Sequence, residues 1–197
     1  MAKRSFDWLA SGLGLLLLAP VFLAVALWIK LESPGPVFFR QMRVGQFGRL
    51  FRIHKFRTMT LDAEARGLQI TTGNDVRITR VGAFLRHWKI DELPQLIDVL
   101  LGRMSLVGPR PEVPRYVECY PTDVRDVVLS VRPGITDRAS IEFKNENKIL
   151  AHARDPHQAY VNKVLPIKLQ YQQDYVRDRS FWGDIAIIFA TIRALVV

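Results

Sequence analysis

The chain has 197 residues, of which 49% are hydrophobic, so it can form one domain with a substantial core but is short for two. A net charge of +9 favours an anionic partner, such as nucleic acid, an acidic membrane surface or a phosphorylated small molecule. The single cysteine excludes an internal disulfide, and the scattered histidines (His54, His87, His152 and His157) argue against a zinc site.

The first predicted element is an uncharged apolar segment, Trp8–Ile29, which is long enough to enter a bilayer. Lys30 follows it directly without a small-residue cleavage site, so we expect the segment to be retained. Pro20 lacks an N–H and predicts a kink at Ala19–Pro20. Two topologies remain open: a single-pass helix, or a re-entrant helix whose two ends lie on the same face of the membrane.

A basic and aromatic segment follows, since residues 33–61 contain no acidic side chain. Arginine, lysine and phenylalanine alternate there in two predicted strands, Val37–Met42 and Leu50–Phe56, which join through Gly45–Gly48 as a hairpin. The segment could be a solvated or headgroup-facing surface, a substrate contact, or a stacking platform for nucleic acid.

Four further helices are predicted, at 76–88, 91–101, 123–131 and 156–178. Asp155 is a candidate cap for the last one, Pro156 suits its first position, and Pro166 should interrupt it. The apolar run 181–197 carries two charges, which favours an interfacial or core-packed helix over a second span.

Two adjacent acids, Asp91 and Glu92, begin the predicted helix at 91–101. They could simply be an N-cap and a partner of the helix dipole. They could also belong to a phosphoryl-transfer site, because Arg86 lies shortly before them and Arg110 follows between two prolines, where its rigid backbone suits phosphate binding.

Four ordered motifs resemble the bacterial sugar transferase family, the monotopic phosphoglycosyl transferases: KFRTM at 55–59, DELPQL at 91–96, MSLVGPRPE at 104–112 and RPGIT at 132–136. The length resembles the small form, without the additional amino-terminal membrane region of larger members. The resemblance implies a mostly helical α+β fold with a small β-hairpin. A kinked re-entrant membrane helix at 1–31 would precede a cytosol-facing catalytic domain with interfacial helices at 32–197, as one functional unit.

The resemblance also implies the reaction and its partners. A sugar-1-phosphate would pass from a UDP-sugar to polyprenyl (undecaprenyl) phosphate, releasing UMP, at the cytoplasmic face of the bacterial inner membrane and among membrane lipids. This would be the initiating step of surface-glycan synthesis. We expect no nucleic-acid partner; a membrane-tethered nucleic-acid-binding protein and a noncatalytic membrane scaffold are the alternatives. The motifs specify neither the sugar nor the oligomeric state.

By the same resemblance, Asp91 is the nucleophile, through an aspartyl phospho-sugar intermediate, and the protein ligand of Mg²⁺. Glu92 would assist as a base or by shaping the metal site. Phosphate and substrate contacts are expected from Arg86, Arg110, Lys55 and Arg57, and nucleotide contacts from Arg132, Pro133 and Gly134.

After Thr136 the chain departs from the pattern of many relatives, reading DRASIEFKNE at 137–146. Residues 137–155 are therefore our candidate for the region that discriminates the sugar. The alternative is that they form a different surface loop.

Overall fold

The computed structural model describes residues 2–61, 63, 75–144, 146, 150, 153 and 155–196. Its first element is the 31-residue helix α1, Ala2–Glu32, which includes Pro20. Within the described residues it is the one helix long and apolar enough to cross a membrane by length and composition. The helix continues through Ala19–Pro20, and its re-entrant topology stays a prediction.

Helix α1 has one face on the protein and one face exposed. Asp7, Ser11, Val25 and Ile29 are buried. The other face presents large apolar side chains to the outside, including Trp8, Leu9, Leu13, Leu16, Leu17, Leu23, Leu27 and Trp28. A helix with such a continuous apolar surface requires a nonpolar environment on that side.

Both ends of α1 are fixed to the rest of the protein by polar contacts. Near its start, the Asp7 carboxylate accepts hydrogen bonds from the Ser105 hydroxyl at 2.7 Å and the Leu106 N–H at 3.2 Å. At its end, the Glu32 carboxylate accepts the Val81 N–H at 3.1 Å. The whole helix is therefore attached to one domain.

The predicted hairpin is confirmed, but each of its arms is divided. Four short strands form it: β1 Phe38–Phe39, β2 Met42–Val44, β3 Leu50–Arg52 and β4 Lys55–Phe56. β1 pairs with β4 and β2 with β3, both antiparallel, and a 3₁₀ turn at Gln46–Gly48 joins the inner pair. The regular backbone pairing stops between the β1–β4 pair and the β2–β3 pair, so neither arm of the hairpin is one continuous strand.

The predicted helices at 76–88 and 91–101 are present in shorter form. Helix α2 spans Arg80–His87, a 3₁₀ turn spans Ile90–Glu92, and α3 spans Gln95–Leu100. The Thr79 side chain caps α2 by accepting the Gly82 N–H. The two acids therefore lie in a tight turn that leads into α3.

The structure also contains a parallel pair of short strands that the sequence did not predict. β5 is Ser105–Val107 and β6 is Gly134–Thr136, with Ser105 opposite Gly134 and Val107 opposite Thr136. Helices α4, Pro114–Val117, and α5, Thr122–Val128, form the crossover between them. β6 continues into helix α6, Arg138–Glu142.

The carboxyl-terminal part is helical. Asp155 caps α7, Pro156–Ala159, as predicted, by accepting the N–H groups of His157 and Gln158. A π-helical turn, Tyr160–Val164, precedes α8, Leu165–Asp178, and α9 spans Phe181–Val196. The predicted interruption by Pro166 thus takes the form of a widened turn, since proline clashes with the carbonyl four residues before it.

Candidate active site

A strained backbone residue turns the chain into the site. Lys89 has a φ of 56°, in the left-handed region that non-glycine residues rarely adopt, and it caps the 3₁₀ turn Ile90–Glu92. No side-chain capping bond is formed there, and Asp91 Oδ1 is buried without a hydrogen-bond partner. The interpretation of Asp91 as an ordinary N-cap is therefore not supported, because a cap would accept a backbone N–H.

Glu92 is held between two cations. Its Oε1 accepts a hydrogen bond from Lys55 Nζ at 2.9 Å and another from Arg110 Nη2. Burial acts to raise the pKa of Glu92, but attraction to Arg110 and Lys55 outweighs it, and the pKa lies well below its usual value. Glu92 is therefore an anion at every pH at which the protein would work.

Asp91 lies in a different environment from its neighbour. Asp91 as a residue is 8% exposed, and burial together with repulsion from Glu92 raises the pKa of its carboxyl group to about 6. Attraction to Lys55, Arg86 and Lys89 opposes this rise. A carboxylate that is buried, lacks a partner on one oxygen and is repelled by an adjacent anion is poised to bind a cation or attack an electrophile.

Lys55 and Arg86 are positioned by packing around the Lys55–Thr58 segment. On one side, the buried Asp98 carboxylate of α3 binds both the backbone N–H and the ring Nδ1 of His54 at 2.8 Å. On the other, Gly82 allows α2 to approach closely, since a Cβ there would lie 2.0 Å from the Thr58 carbonyl oxygen. Arg86 Nε then donates to the Thr58 hydroxyl at 2.8 Å.

Arg110 reaches the acids from the loop after β5. The Asp137 carboxylate accepts the Arg110 backbone N–H at 3.1 Å, and Arg110 Nη1 donates to the Ile135 carbonyl at 3.0 Å. Burial acts to lower the pKa of Arg110, but Glu92 outweighs it and raises that pKa. A guanidinium has five N–H donors, so donors remain for a phosphate.

The residues at hand fit a magnesium ion that has few protein ligands. Within the described residues, no group of three or more His, Cys, Asp or Glu side chains could hold a metal by itself. The buried, unpartnered Asp91 Oδ1 is a suitable single ligand. Mg²⁺ commonly uses one or two carboxylates and takes its other oxygens from water and substrate phosphates.

The structure brings together five of the predicted site residues: Asp91, Glu92, Lys55, Arg86 and Arg110. Arg57, Arg132, Pro133 and Gly134 have other contacts.

Arg57 has a different set of partners from the substrate contact predicted for it. Its guanidinium donates to the carbonyls of Ser33 at 2.7 Å and Pro34 at 2.6 Å, and to the Ser33 hydroxyl at 2.8 Å. The side chain is 6% exposed. These contacts make Arg57 a residue that fixes the end of α1, and its substrate contact stays a prediction.

The predicted nucleotide-binding residues lie behind the Arg110 loop or at its edge. Arg132 is exposed and donates to the Gly102 carbonyl at 3.0 Å. The Pro133 carbonyl accepts the Ser105 N–H, and Gly134 N–H donates to the Pro109 carbonyl at 2.9 Å. These contacts give the two residues a structural role in pairing β5 with β6, and their nucleotide contact stays a prediction.

Part of the predicted sugar-discriminating region is described. Residues 137–144, 146, 150, 153 and 155 belong to it, whereas 145, 147–149, 151, 152 and 154 lie outside the described residues. Asp137 caps α6 by accepting the Ser140 N–H at 2.7 Å. Its second oxygen supports Arg110, so the segment begins in direct contact with the site.

The aromatic rings of the basic segment are largely used in packing. Phe51 and Phe56 are buried, and Phe38 stacks on Phe56 with ring centroids 5.5 Å apart. Phe47 is 70% exposed at the hairpin tip. Base stacking needs open ring faces, so this packing gives the nucleic-acid interpretation little support.

Sequence reasoning overlooked several residues that support the site, namely His54, Lys89, Asp98 and Asp137. Asp137 was the most accessible to prediction, because an Asp before a short helical run is a recognisable N-cap. The His54–Asp98 contact joins residues 44 positions apart, and no local pattern indicates it.

Comparison with known proteins identifies the family. The model for the bacterial sugar transferase family matches residues 1–197. The exopolysaccharide production protein PSS of Rhizobium leguminosarum is 54% identical over 208 residues, covering 96% of this chain and 92% of that protein.

Two longer relatives carry more specific names. The UDP-N-acetylgalactosamine-undecaprenyl-phosphate N-acetylgalactosaminephosphotransferase of Aeromonas hydrophila is 40% identical over 195 residues, 98% of this chain and 43% of its own length. The UDP-glucose:undecaprenyl-phosphate glucose-1-phosphate transferase of Escherichia coli is 38% identical over 195 residues, 98% of this chain and 39% of its own length. This chain thus spans well under half of these two relatives. The match along its whole length shows that it belongs to the bacterial sugar transferase family.

Proposed function

We propose that this protein transfers a sugar-1-phosphate from a UDP-sugar to undecaprenyl phosphate and releases UMP. The main support for this proposal is the buried Asp91 carboxylate, whose Oδ1 has no hydrogen-bond partner. Next to it lies Glu92, which Lys55 and Arg110 hold as an anion. The names of the relatives from Aeromonas hydrophila and Escherichia coli support this substrate class. The name of the Rhizobium relative supports a place in exopolysaccharide production.

In the first half-reaction, an Asp91 oxygen attacks the phosphorus that carries the sugar. The bond from that phosphorus to the bridging oxygen of the diphosphate breaks, and UMP leaves with the electron pair. An aspartyl phospho-sugar remains on the protein. Burial favours this step because an incompletely solvated carboxylate is a stronger nucleophile than one surrounded by water.

In the second half-reaction, an oxygen of the lipid phosphate attacks the same phosphorus. The bond from phosphorus to the Asp91 oxygen breaks, which restores the carboxylate and yields a lipid diphosphate sugar. Arg110 pairs with Glu92, and Arg86 lies within electrostatic range of Asp91, so both arginines would hold phosphate oxygens. When bound at Asp91, Mg²⁺ would neutralise charge on the diphosphate.

Glu92 serves as an organising anion in this proposal. A general base needs a pKa near the working pH, whereas the pKa of Glu92 lies well below its ordinary value. Its ion pairs with Lys55 and Arg110 hold those cations in place, and its charge raises the pKa of Asp91. This role accounts for two adjacent acids with different environments.

The exposed apolar face of α1 would seat the protein in the bacterial inner membrane, with the catalytic domain on the cytoplasmic face. A spanning helix carries its ends to opposite faces of the hydrocarbon core, about 30 Å apart. Both ends of α1 instead contact the same domain, through Asp7 and Glu32. These contacts support a re-entrant helix with both ends cytoplasmic. Pro20 lies inside the continuous helix, and a bend at Ala19–Pro20 stays the predicted point of re-entry.

Single cysteines at positions 2 and 36, placed in a Cys119→Ser background, test this topology. Both positions are exposed, and a membrane-impermeant maleimide should label them from the same side. The wild-type protein, labelled separately, provides the reference for that side, because its single cysteine, Cys119, is exposed on the catalytic domain. Labelling of the two positions from opposite sides would establish a spanning helix.

Residues 137–155 remain our proposal for the region that selects the sugar. Asp137 connects this segment to the Arg110 backbone, so a change in the segment can reach the donor site. Exchanging 138–144 for the corresponding residues of a relative with another donor should shift the order of preferred UDP-sugars. An unchanged preference order would assign the selection to another segment.

The activity itself is tested by UMP release. Purified protein with Mg²⁺, a short-chain polyprenyl phosphate and a panel of UDP-sugars should release UMP with at least one donor, and Asp91→Asn should release none. A wild-type protein that is folded and membrane-bound but releases no UMP with any donor would refute the proposed function.

A further inference from the structure

A second polar network lies immediately beyond Arg110, and the proposed chemistry does not use it. The Tyr160 hydroxyl donates to the Glu112 carboxylate. Arg43 lies 3.7 Å from the other Glu112 oxygen, and its Nη1 donates to the Pro111 carbonyl at 3.0 Å. The two residues that follow Arg110 are thus held by a strand on one side and a helix on the other.

The helix holds its part of the network rigidly. Tyr160 opens the π-helical turn, and its carbonyl accepts the Leu165 N–H, five residues ahead. Lys168 lies 5.0 Å from the Tyr160 ring centroid and pairs with Glu146. Short π turns occur often at functional sites, because they redirect one side chain without ending a helix.

This buried polar network stabilises the fold less than hydrophobic side chains of similar size would. Tyr160 is 2% exposed, and the Arg43 and Glu112 side chains are mostly buried. Buried ion pairs add little to stability compared with hydrophobic residues of the same size, although breaking one is expensive. Burial and the nearby Glu112 carboxylate raise the pKa of Tyr160, so its hydroxyl stays a hydrogen-bond donor.

The network also lies within electrostatic range of the acids. The charge of Arg43 acts on Lys55, and both Arg110 and Glu92 act on Arg43. The Val44 N–H donates to the Glu112 carbonyl at 2.9 Å, which fixes the loop backbone as well as its side chain. Pro111, whose ring fixes its φ, is the only residue between Glu112 and Arg110, so a shift of the Glu112 backbone would be passed on to Arg110.

We propose that Tyr160, Glu112 and Arg43 are positioning residues that hold the Pro109–Glu112 loop so that Arg110 stays aligned with Glu92 and the donor diphosphate. They act through Arg110 and touch no reacting atom. This inference rests on the proposed function, because the donor diphosphate is the group that Arg110 would bind.

Tyr160→Phe is the main test, since it removes one hydroxyl and leaves the ring in place. The control is Tyr171→Phe on α8, because the Tyr171 hydroxyl forms no hydrogen bond with any residue that the structure describes. We expect Tyr160→Phe to raise the KM for the UDP-sugar about tenfold, the effect of losing about 1.4 kcal/mol. The KM for the lipid phosphate should stay close to wild type. The melting temperature should fall by only a few degrees, because Arg43 still faces the Glu112 carboxylate when the Tyr160 hydroxyl is lost.

Glu112→Gln provides a second variant, because it retains the shape and an acceptor but loses the charge that pairs with Arg43. It should also raise the donor KM, and Tyr160→Phe should add little to an Arg110→Lys background, because the network acts through Arg110. A purely structural role would instead lower the folded fraction and leave the donor KM unchanged.

Two results would overturn the inference while leaving the proposed function intact. One is a Tyr160→Phe enzyme whose donor KM matches that of Tyr171→Phe. The other is a full tenfold effect of Tyr160→Phe in the Arg110→Lys background. Absence of UMP release by the wild type with every donor would overturn the proposed function, and this inference with it.

Discussion

Replacing Asp91 with asparagine should stabilise the folded protein while it abolishes turnover. The folded-state pKa of Asp91 is raised to about 6 from the ordinary value of 3.8, so the folded protein favours the protonated, neutral carboxyl. Each tenfold change in an acidity constant corresponds to about 1.4 kcal/mol, so at neutral pH the ionised Asp91 destabilises the folded protein relative to the unfolded chain by roughly 3 kcal/mol. Asparagine has nearly the same shape and no charge, so it avoids this cost.

The effect has a defined pH window. Well below pH 3.8 the carboxyl is protonated in both folded and unfolded chains, and the two proteins should be about equally stable. The advantage of Asp91→Asn should grow as the pH rises through 6 and then level off. At pH 7.5 it corresponds to an increase in melting temperature of roughly 6–12 °C for a chain of this size.

The assay is thermal unfolding in detergent at a fixed scan rate, with EDTA and without substrate, because a ligand would stabilise only the folded state. Asp126→Asn is the control: that side chain is 71% exposed, and its loss should change stability by less than about 0.5 kcal/mol. An Asp91→Asn protein that is no more stable than wild type at pH 7.5 would refute the described environment of Asp91.

Three further predictions concern activity. Arg110→Ala should lower kcat/KM by about 100-fold or more, because it removes one partner of the mostly buried pair with Glu92. The control is Arg103→Ala, whose side chain is 43% exposed and whose loss should lower kcat/KM by less than about threefold. Similar losses for the two variants would count against a phosphate role for Arg110. The kcat/KM of the wild type should rise with pH as Asp91 ionises near pH 6. Glu92→Gln removes a repulsive charge, so the rise in kcat/KM should occur at lower pH in that variant. A rise at the same pH in both proteins would contradict the effect of Glu92 on Asp91. Gly134→Ala should reduce both melting temperature and activity, because its methyl group would lie 2.1 Å from the backbone nitrogen of Gly108, directly after β5. A variant that melts and turns over like wild type would show that this close backbone contact tolerates expansion.

Local signals predicted the parts of the fold that depend on neighbouring residues. The glycines at 45 and 48 indicated the hairpin, and Asp155 with Pro156 indicated the start of a helix. The grouping of Asp91 and Glu92 with Arg86 and Arg110 was also predicted, from motifs that resemble one family. Each of these patterns acts over a few residues or is carried by a recognisable motif.

The remaining features depend on contacts between distant residues. β5 and β6 have three residues each, and strands so short show no usable hydrophobic period. Arg57 follows Lys55 by two positions, yet β4 ends at Phe56, so Arg57 turns to the end of α1. Tyr160 meets Glu112 from 48 positions away, and only the assembled fold brings them together.

Trapping the covalent intermediate would show directly whether Asp91 is the nucleophile. Protein incubated with Mg²⁺ and a UDP-sugar that it uses, without lipid phosphate, should gain the mass of one sugar phosphate. Peptide mapping after acid quenching should place that mass on Asp91, and Asp126→Asn should form it as wild type does. Asp91→Asn should form no adduct. Formation of the same adduct by that variant at a near-normal level would exclude Asp91 as the nucleophile.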